Sequence, residues 1–186
     1  MVRLCLLIVV FFSVLLRIES QIVLWQKCLG GTAFDNAATY KNTSDGSFII
    51  AGTTRSFDGD LSERNNRADA DVWLVKVNAK GKIAWHRFCG GNSTDEANDV
   101  EVLKDRGFLV VGFSESAGLT NGKKDVYAAR LDMLGKMMWE QHYGGSGNES
   151  ASCVLELADG GFLIGGETGT QDETFQNKGG LDYYLV

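Results

Sequence analysis

The segment WQKCLGG at residues 25–31 recurs as WHRFCGG at residues 85–91 and as WEQHYGG at residues 139–145. The three tryptophans are therefore 60 and 54 residues apart. Four residues after each Gly pair stands an acid, and an alanine follows two residues later (Asp35 and Ala37, Asp95 and Ala97, Glu149 and Ala151). A repeat with a period near 50 residues is typical of propellers and solenoids.

Each unit continues with a turn and two further apolar stretches. The turn is Asp-Gly or a close variant, a phenylalanine follows it, and a glycine comes four residues later (Phe48 and Gly52, Phe108 and Gly112, Phe162 and Gly166). Short runs rich in β-branched and aromatic residues, bounded by such turns, predict strands and hairpins. In the first unit we expect four strands, over residues 22–29, 36–42, 48–52 and 71–77.

The fold class predicted from this pattern is all-β. Four short strands in each unit favour a β-propeller-like array of four-stranded blades, with a β-solenoid as the alternative architecture. We divide the chain into repeat units at residues 21–84, 85–138 and 139–186. The third unit ends inside its last predicted strand, and a propeller ring typically has about 4–8 blades. We therefore expect an incomplete propeller of about three units.

The first twenty residues have the pattern of a secretory signal peptide. Arg3 gives a short basic start, residues 4–16 form an apolar run, and Ser20 is small enough to precede cleavage at Gln21. The run is too short to favour a membrane span, which needs about 20 apolar residues. An uncleaved N-terminal anchor is the alternative. We expect a secreted or cell-surface protein with no membrane insertion after signal cleavage.

The charge of the chain narrows the classes of partner. Its formal net charge is −6, and it has no cluster of Lys and Arg. Proteins that bind nucleic acid or anionic membranes carry basic patches, so neither partner is expected. Outside residues 1–20 the chain has three cysteines, Cys28, Cys89 and Cys153. An odd number is not a disulfide framework, although it leaves one bridge possible. For Cys28 and Cys89, which occupy neighbouring positions in successive units, we expect buried thiols.

One loop of the first unit has the composition of a cation site. Asp58, Asp60 and Ser62 place oxygens at alternate positions, and Asp69 stands eleven residues after Asp58, where an EF-hand loop has its last ligand. However, Glu63 occupies the position that such a loop needs as glycine. A solvated hairpin loop is the favoured interpretation, and a Ca²⁺ site is the alternative.

No other cofactor and no catalytic residue is predicted. The recurring acids Asp45, Asp105 and Asp159 are expected to form turns, because Asp accepts hydrogen bonds from nearby backbone N–H groups. The same interpretation applies to the acids that follow the Gly pairs. His86 and His142 stand at different positions in their units and lack the spacing of a zinc site.

The repeat resembles a known family. WQKCLGG at residues 25–31, DGSFIIAGTT at 45–54 and DVWLVKVN at 71–78 resemble the tandem propeller-type repeats of large secreted and surface proteins of bacteria. The resemblance covers nearly all of residues 22–186 and implies a propeller-like domain with no catalytic residues to transfer. The second unit has AGLT at 117–120 where the first has FDGD at 57–60, so the acids of that loop do not recur.

Three functional hypotheses follow. The first is a non-catalytic interaction or adhesion module whose loops bind another macromolecule or a glycan. The second is a fragment of an extracellular propeller hydrolase or lyase whose catalytic blades lie elsewhere. The third is a truncated product with no function of its own. Fold alone does not choose between them, because propellers host many activities.

An array of three blades exposes two apolar blade faces to water, and such patches drive association. We therefore predict that residues 21–186 alone are marginally stable, oligomeric or prone to aggregate. Sedimentation together with a thermal melt tests this, and a monomer with a sharply cooperative melt would contradict it.

Overall fold

The computed structural model describes residues 23–64, 69–116, 123–171 and 177–186, so the signal peptide predicted at residues 1–20 lies outside the described residues. Within these ranges the chain is all-β, as predicted, and has no α-helix. A single 3-10 turn, η1, covers Gly59–Leu61. The strands are β1 (Asp35–Asn42), β2 (Phe48–Thr54), β3 (Asp71–Val77), β4 (Ile83–Cys89), β5 (Asp95–Val102), β6 (Phe108–Ser114), β7 (Asp125–Leu131), β8 (Met137–Tyr143), β9 (Glu149–Glu156), β10 (Phe162–Thr168) and β11 (Asp182–Leu185).

The strands form three antiparallel sheets in chain order. The first sheet is β1-β2-β3-β4, the second is β5-β6-β7-β8, and the third is β9-β10-β11. Within each sheet, every strand pairs with the next one along the chain, because short turns favour antiparallel neighbours. Three of the four strands predicted in the first unit, those at 36–42, 48–52 and 71–77, are confirmed to within two residues.

The prediction that the tryptophan strand opens each unit is wrong. Trp85 lies in β4, which pairs with β3, and Trp139 lies in β8, which pairs with β7. The tryptophan strand therefore closes a sheet, and the divisions drawn at residues 85 and 139 fall inside the first and second sheets. A strand was expected over residues 22–29, and residues 23–29 belong to none. The tryptophan strand closes the sheet because of the two connections that flank it. A tight hairpin turn joins β3 to β4, whereas the Gly pair after β4 leads the chain into the next sheet.

The turn between the first two strands of each sheet needs a residue with positive φ. Gly46 (φ 76°) and Gly160 (φ 88°) supply it in the first and third sheets, as predicted from their Asp-Gly pairs. In the second sheet the glycine is displaced by one residue, and Arg106 takes the left-handed conformation with φ 69°. This region costs an L-residue with a side chain about 1–2 kcal/mol.

The glycine near the end of each second strand is explained by a bulge in the first strand. The pairing of β1 with β2 shifts between Ala37 and Thr39, and the same shift recurs in the other two sheets. A Cβ atom on Gly52 would stand 1.8 Å from the carbonyl oxygen of Asn36, and the equivalent distance at Gly112 is 1.9 Å. Only glycine fits so close to a neighbouring backbone.

The sheets pack face to face in sequence. The first and second sheets share one apolar core, in which Trp85 meets Phe108 edge-on with ring centroids 5.6 Å apart. The second and third sheets share another, in which the rings of Trp139 and Phe162 are 6.1 Å apart. Aromatic residues thus pack between neighbouring sheets. Full burial of a large apolar side chain stabilises a fold by about 1.5–3 kcal/mol, and Phe108 is fully buried.

The strained turn gives a direct test. Replacing Arg106→Gly should raise the free energy of unfolding by about 0.5–1 kcal/mol, because the relief of the left-handed strain exceeds the added chain entropy. Arg106→Ala removes the same side chain but keeps a Cβ, and it should not stabilise. Denaturant unfolding of the three proteins measures this, and equal gains in both variants would contradict the strain interpretation.

Candidate functional site

One end of every sheet carries a row of polar residues on three neighbouring strands. In the first sheet Asp35 pairs with Thr54, and Thr54 pairs with Asp71 across the next strand. The equivalent rows are Asp95, Ser114 and Asp125 in the second sheet, and Glu149, Thr168 and Asp182 in the third. We call this end of each sheet the polar end. Its repetition makes it the first candidate for a functional site.

The acid of the first row holds the chain that enters its sheet. The Asp35 carboxylate accepts hydrogen bonds from the Gly31 N–H at 2.8 Å and from the Ser56 hydroxyl at 2.8 Å. It also accepts from the Thr54 hydroxyl at the end of β2. One carboxylate thus ties the Gly-Gly turn to the end of the second strand. We call this arrangement the carboxylate clamp.

The clamp recurs in the second sheet with full burial. Asp95 accepts from the Gly91 N–H at 2.7 Å and from the Ser116 hydroxyl at 2.9 Å. Both side chains are fully buried. Because a buried carboxylate is costly without donors, these hydrogen bonds decide whether the ionised group is tolerated there.

The third sheet uses a longer acid for the same purpose. Glu149 accepts from the Gly145 N–H at 2.8 Å and from the hydroxyls of Thr168 at 2.8 Å and Thr170 at 2.7 Å. Glu149 is also fully buried. Asp and Glu therefore have the same structural role at this position. The carboxylates that recur here are engaged in the hydrogen bonds of the clamps.

The clamp explains the repeated spacing. A Cβ on Gly30 would stand 2.4 Å from the Asp35 carboxylate oxygen Oδ2, and a Cβ on Gly90 equally close to that of Asp95. The glycine is required where the carboxylate approaches. Our prediction of a turn role for these acids is confirmed, but their hydroxyl donors were missed. The signal was present in the sequence as a repeated hydroxyl-x-hydroxyl pair (Thr54 and Ser56, Ser114 and Ser116, Thr168 and Thr170).

A buried ion pair adds to the polar end of the first sheet. The Nε atom of Arg64 donates to Asp71 at 2.8 Å, and its Nη1 donates to the carbonyl oxygen of Ser56 at 2.9 Å. Both charged side chains are almost fully buried. Removing either partner would leave an uncompensated buried charge, which is strongly destabilising. The pair fastens the loop after β2 to the clamp.

The loop proposed for Ca²⁺ is held by backbone and hydroxyl donors. Asp58 accepts from the Thr32 N–H at 2.7 Å and from the Thr32 hydroxyl at 2.8 Å. These hydrogen bonds lower the pKa of Asp58, because they stabilise its charged form. Asp60 accepts from the Gly30 N–H at 3.2 Å. The loop thus fastens to residues 30–32.

The remaining two residues of the calcium hypothesis have backbone roles. Ser62 follows the η1 turn as its C-cap, and the carbonyl oxygen of Asp69 accepts a hydrogen bond from Arg64. Among the described residues there is no group of three or more His, Cys, Asp or Glu side chains that could hold a metal ion. The calcium hypothesis gains no support from this geometry, and it stays a prediction.

The acids of the first hairpin turns behave as predicted. Asp45 accepts from the Ser47 N–H at 3.0 Å, Asp105 from the Gly107 N–H at 2.9 Å and Asp159 from the Gly161 N–H at 3.0 Å. Asp45 also receives the Lys76 ammonium at 2.8 Å, which holds the pKa of its carboxyl well below the ordinary value. These acids therefore stabilise turns.

The two histidines lie among aromatic rings. The His86 ring meets Phe88 edge-on, with centroids 5.4 Å apart, and the His142 ring lies 5.2 Å from Tyr127. Burial strongly raises the pKa of Tyr127, whose hydroxyl donates to Glu140 at 2.9 Å. In the part of the chain that the structure describes, neither histidine has a nucleophile within the hydrogen-bond reach that a general base requires.

The cysteines differ in their environments. All three are free thiols, and Cys89 is buried while Cys28 and Cys153 are exposed. The expectation of buried thiols is therefore correct for Cys89 and wrong for Cys28. Burial raises the pKa of Cys89 to about 12, so its thiol is unreactive near neutral pH. Cys28 precedes the first sheet, and Cys153 lies on a sheet face that no described residues cover fully.

The second candidate site is an open apolar face. A groove of about 510 Å³ runs along the first sheet on the side away from the second sheet. Its wall includes Trp25, whose indole N–H donates to the carbonyl oxygen of Ala79 at 2.9 Å. Tyr40 is 68% exposed at the rim. Further lining residues are Ala37, Thr39, Phe48, Ile50 and Val77. Apolar surface of this kind marks interaction sites.

Comparisons with known proteins identify no family for this chain. No model of a known protein family and no curated protein matches the sequence. Across residues 23–64, 69–116, 123–171 and 177–186, no helix is sufficiently long and apolar to span a membrane.

The clamp predicts that neutralising a buried clamp acid lowers the free energy of unfolding more than neutralising an exposed turn acid does. Asp95→Asn keeps the shape but loses the charge that accepts two buried hydrogen bonds, and it should lower the free energy of unfolding by about 2–3 kcal/mol. Asp159→Asn, in an exposed turn where an amide oxygen can accept the same hydrogen bond, should change it by less than about 0.5 kcal/mol. Chemical denaturation measures both, and equal effects would refute the clamp.

Proposed function

We propose that this chain is a non-catalytic interaction module of the secreted or cell-surface type, built from propeller-like blades. Its ligand is another macromolecule or a glycan. The observation that carries the proposal is the carboxylate clamp, which uses the recurring acids for structure at the polar end of all three sheets. What varies between the units is the set of loops that the clamps hold.

The packing of the sheets supports a blade-like arrangement. Strands β1, β2 and β3 of the first sheet pack against β5, the first strand of the second sheet. Strands β5, β6 and β7 of the second sheet pack in the same way against β9. The first and second sheets therefore each lay one face on the beginning of the next, and β5 contacts both β1 and β9. Propeller blades stack in this manner around a centre.

The polar end is the most suitable ligand surface. The loops between second and third strands begin there, at residues 55, 115 and 169, and they differ in length and sequence. The first of them is fixed by Asp58 and by the buried pair of Arg64 with Asp71. Loops held on a rigid scaffold commonly carry binding residues.

The chemistry of the first loop favours a neutral ligand. Phe57 is 50% exposed beside Asp58, so an aromatic ring and hydrogen-bonding groups face solvent together. The formal net charge of −6 disfavours polyanions such as nucleic acid or acidic polysaccharide. A neutral glycan fits this surface, because sugars offer both apolar ring faces and hydroxyls.

The alternative, a fragment of an extracellular propeller hydrolase or lyase, has no observation in its favour among the described residues. Paired catalytic carboxylates in glycosidases stand about 5–9.5 Å apart across the scissile bond, with the pKa of one of them raised. The acids that follow the Gly pairs instead accept hydrogen bonds from backbone N–H groups of those turns. We therefore retain the interaction module as the proposal.

Binding of the full chain to immobilised neutral polysaccharides, cellulose and chitin among them, tests this function. Phe57→Ala should weaken the binding about tenfold, which corresponds to 1.4 kcal/mol. Leu134→Ala is the matched control, since Leu134 is 66% exposed in the turn after β7, at the opposite end of its sheet. It should leave the affinity unchanged.

The same samples distinguish the two classes of function. Binding without release of reducing ends, lost in Phe57→Ala alone, supports an interaction module. Steady release of reducing ends from the polysaccharide would overturn it in favour of a hydrolase. If the chain binds none of the polysaccharides, a glycan ligand is excluded and only a protein ligand remains.

A further inference from the structure

The backbone at the polar end follows one pattern in all three sheets. The residue after β2 donates its N–H to the carbonyl oxygen of the residue before β1 at 2.8 Å, and the equivalent distances in the second and third sheets are also 2.8 Å. We call these paired residues the display positions. They are Arg55 with Phe34, Glu115 with Thr94, and Gly169 with Asn148.

A second hydrogen bond fixes the same part of the backbone. The hydroxyl two residues after each second strand accepts an N–H from the turn that enters the sheet, at 2.9, 3.1 and 2.7 Å in the three sheets. These hydroxyls belong to Ser56, Ser116 and Thr170, all of them fully buried. Burial and hydrogen bonding therefore set the backbone here, and the side chains at the display positions are free to serve another purpose.

The first sheet differs from the others by carrying aromatic rings at this place. Phe34 is 61% exposed, and Phe57, two residues after Arg55, is 50% exposed. The residues equivalent to Phe34 are Thr94 and Asn148, neither of which is aromatic. Exposed rings forgo the stabilisation that burial would give. Because the frame forms without them in the other sheets, these rings are not needed for the fold.

Both rings lie on the side of the chain away from the clamp. Ser56 donates its hydroxyl to the Asp35 carboxylate and is buried, whereas Arg55 and Phe57 on either side of it are exposed. Neighbouring residues of an extended chain point to opposite sides. Phe34 likewise points away from the clamp, because it precedes Asp35. The two rings and the guanidinium group thus share one surface.

Hydrogen-bonding groups flank the two rings. The Arg55 guanidinium offers N–H donors and no acceptor, whereas the Asp58 carboxylate offers acceptors only. Asp58 is held in place by the N–H and hydroxyl of Thr32, and its oxygens have further lone pairs. Sugar hydroxyls both donate and accept, so this pair of side chains is complementary to them. The opposite charges also offset each other, which suits a neutral ligand.

The rings favour a chain of sugars over a single one. The face of an aromatic ring carries partial negative charge, and the C–H groups on the flat side of a pyranose are weakly positive. In paired strands, residues offset by two are about 7–8 Å apart, and Phe34 and Phe57 have this relation. One sugar cannot cover both rings at that separation, whereas two units of one chain can. Since each ring is only half covered, it presents a face and not a closed pocket.

We propose that Phe34, Arg55 and Phe57 form one binding surface for a flat, extended chain of neutral sugars, with a sugar unit stacked on each ring. The hydroxyls of these sugars bind Arg55 and Asp58. The inference rests on the proposed function and deepens it, because it adds a second ring and a donor to Phe57 and assigns the glycan to the first sheet alone. The surface lies at the ends of strands, outside the faces on which sheets pack.

Chain length gives the first test. In calorimetric titration of the full chain with cello-oligosaccharides, the affinity should rise about tenfold from the disaccharide to the tetrasaccharide and then level off. The number of sites should be one for each chain. Malto-oligosaccharides contain the same glucose units in a coiled chain, and they should bind about tenfold more weakly than the extended chains.

Substitution of the second ring separates stacking from simple apolar contact. Phe34→Ala should lower the affinity for the hexasaccharide about tenfold and remove the dependence on chain length. Phe34→Leu keeps apolar volume without a ring and should behave in the same way. Phe34→Tyr keeps the ring and should keep the affinity. Denaturant unfolding should be the same in all four proteins, because the side chain is 61% exposed.

The display positions of the other sheets supply matched controls. Arg55→Ala should lower the affinity for the hexasaccharide about tenfold, whereas Glu115→Ala and Asn148→Ala should leave it within about twofold. Glu115 and Asn148 are exposed and lie in the same backbone frame. A loss of affinity in either control as large as that of Arg55→Ala would overturn the assignment to the first sheet.

The outcomes distinguish this inference from the proposed function. Length-dependent binding that Phe34→Ala and Phe34→Leu weaken and Phe34→Tyr preserves supports the two-ring surface. Binding that Phe57→Ala weakens but Phe34→Ala leaves unchanged would overturn the inference and leave the proposed function standing. If the chain binds neither the oligosaccharides nor cellulose and chitin, both the inference and the glycan ligand are overturned.

Discussion

The carboxylate clamp at the polar end of each sheet is the interaction on which the rest of the structure depends. It joins the Gly-Gly turn that enters a sheet to the end of that sheet's second strand, through Asp35, Asp95 or Glu149. Because the turn also carries the chain over from the preceding sheet, one carboxylate sets where each new sheet begins. A misplaced first strand would bring the wrong side chains to the shared core, since a shift of one residue reverses the two faces.

Burial and charge act together in this device. An ionised carboxylate is expensive to bury, and the cost falls only when several donors surround it. The clamp of Glu149 meets that condition with backbone N–H and hydroxyl groups alone. In the clamp of Asp95 such donors reach Oδ2, whereas Oδ1 has no hydrogen-bond partner among the described residues. The buried pair of Arg64 and Asp71 uses a different solution for the loop of the first sheet.

Much of the fold could be predicted from the sequence, because the repeated residues recur at regular spacings. The all-β class, three of the four strands in the first unit and the turn roles of the acids follow from recurring positions. The position in the repeat at which each sheet begins could not be predicted, because a periodic sequence has no intrinsic beginning. Only the strand pairing shows that Trp85 lies in the last strand of a sheet. The hydroxyl donors were overlooked because Thr54 and Ser56 look ordinary at the end of a strand. The exposure of Cys28 and Cys153 depends on which faces neighbours cover, and a repeat pattern treats all copies alike.

The phase difference between sequence motif and sheet has an evolutionary consequence. The fourth strand of a sheet and the clamp of the next are adjacent in the chain, so the tryptophan motif covalently couples each sheet to its successor. A gene duplication of one full period, whatever its first codon, therefore inserts one complete sheet. One face of that sheet packs on the preceding sheet and the other on the following sheet. Such an array can lengthen or shorten by unequal recombination without disturbing any existing core. Its size is thus open to selection while the chemistry of each junction stays constant.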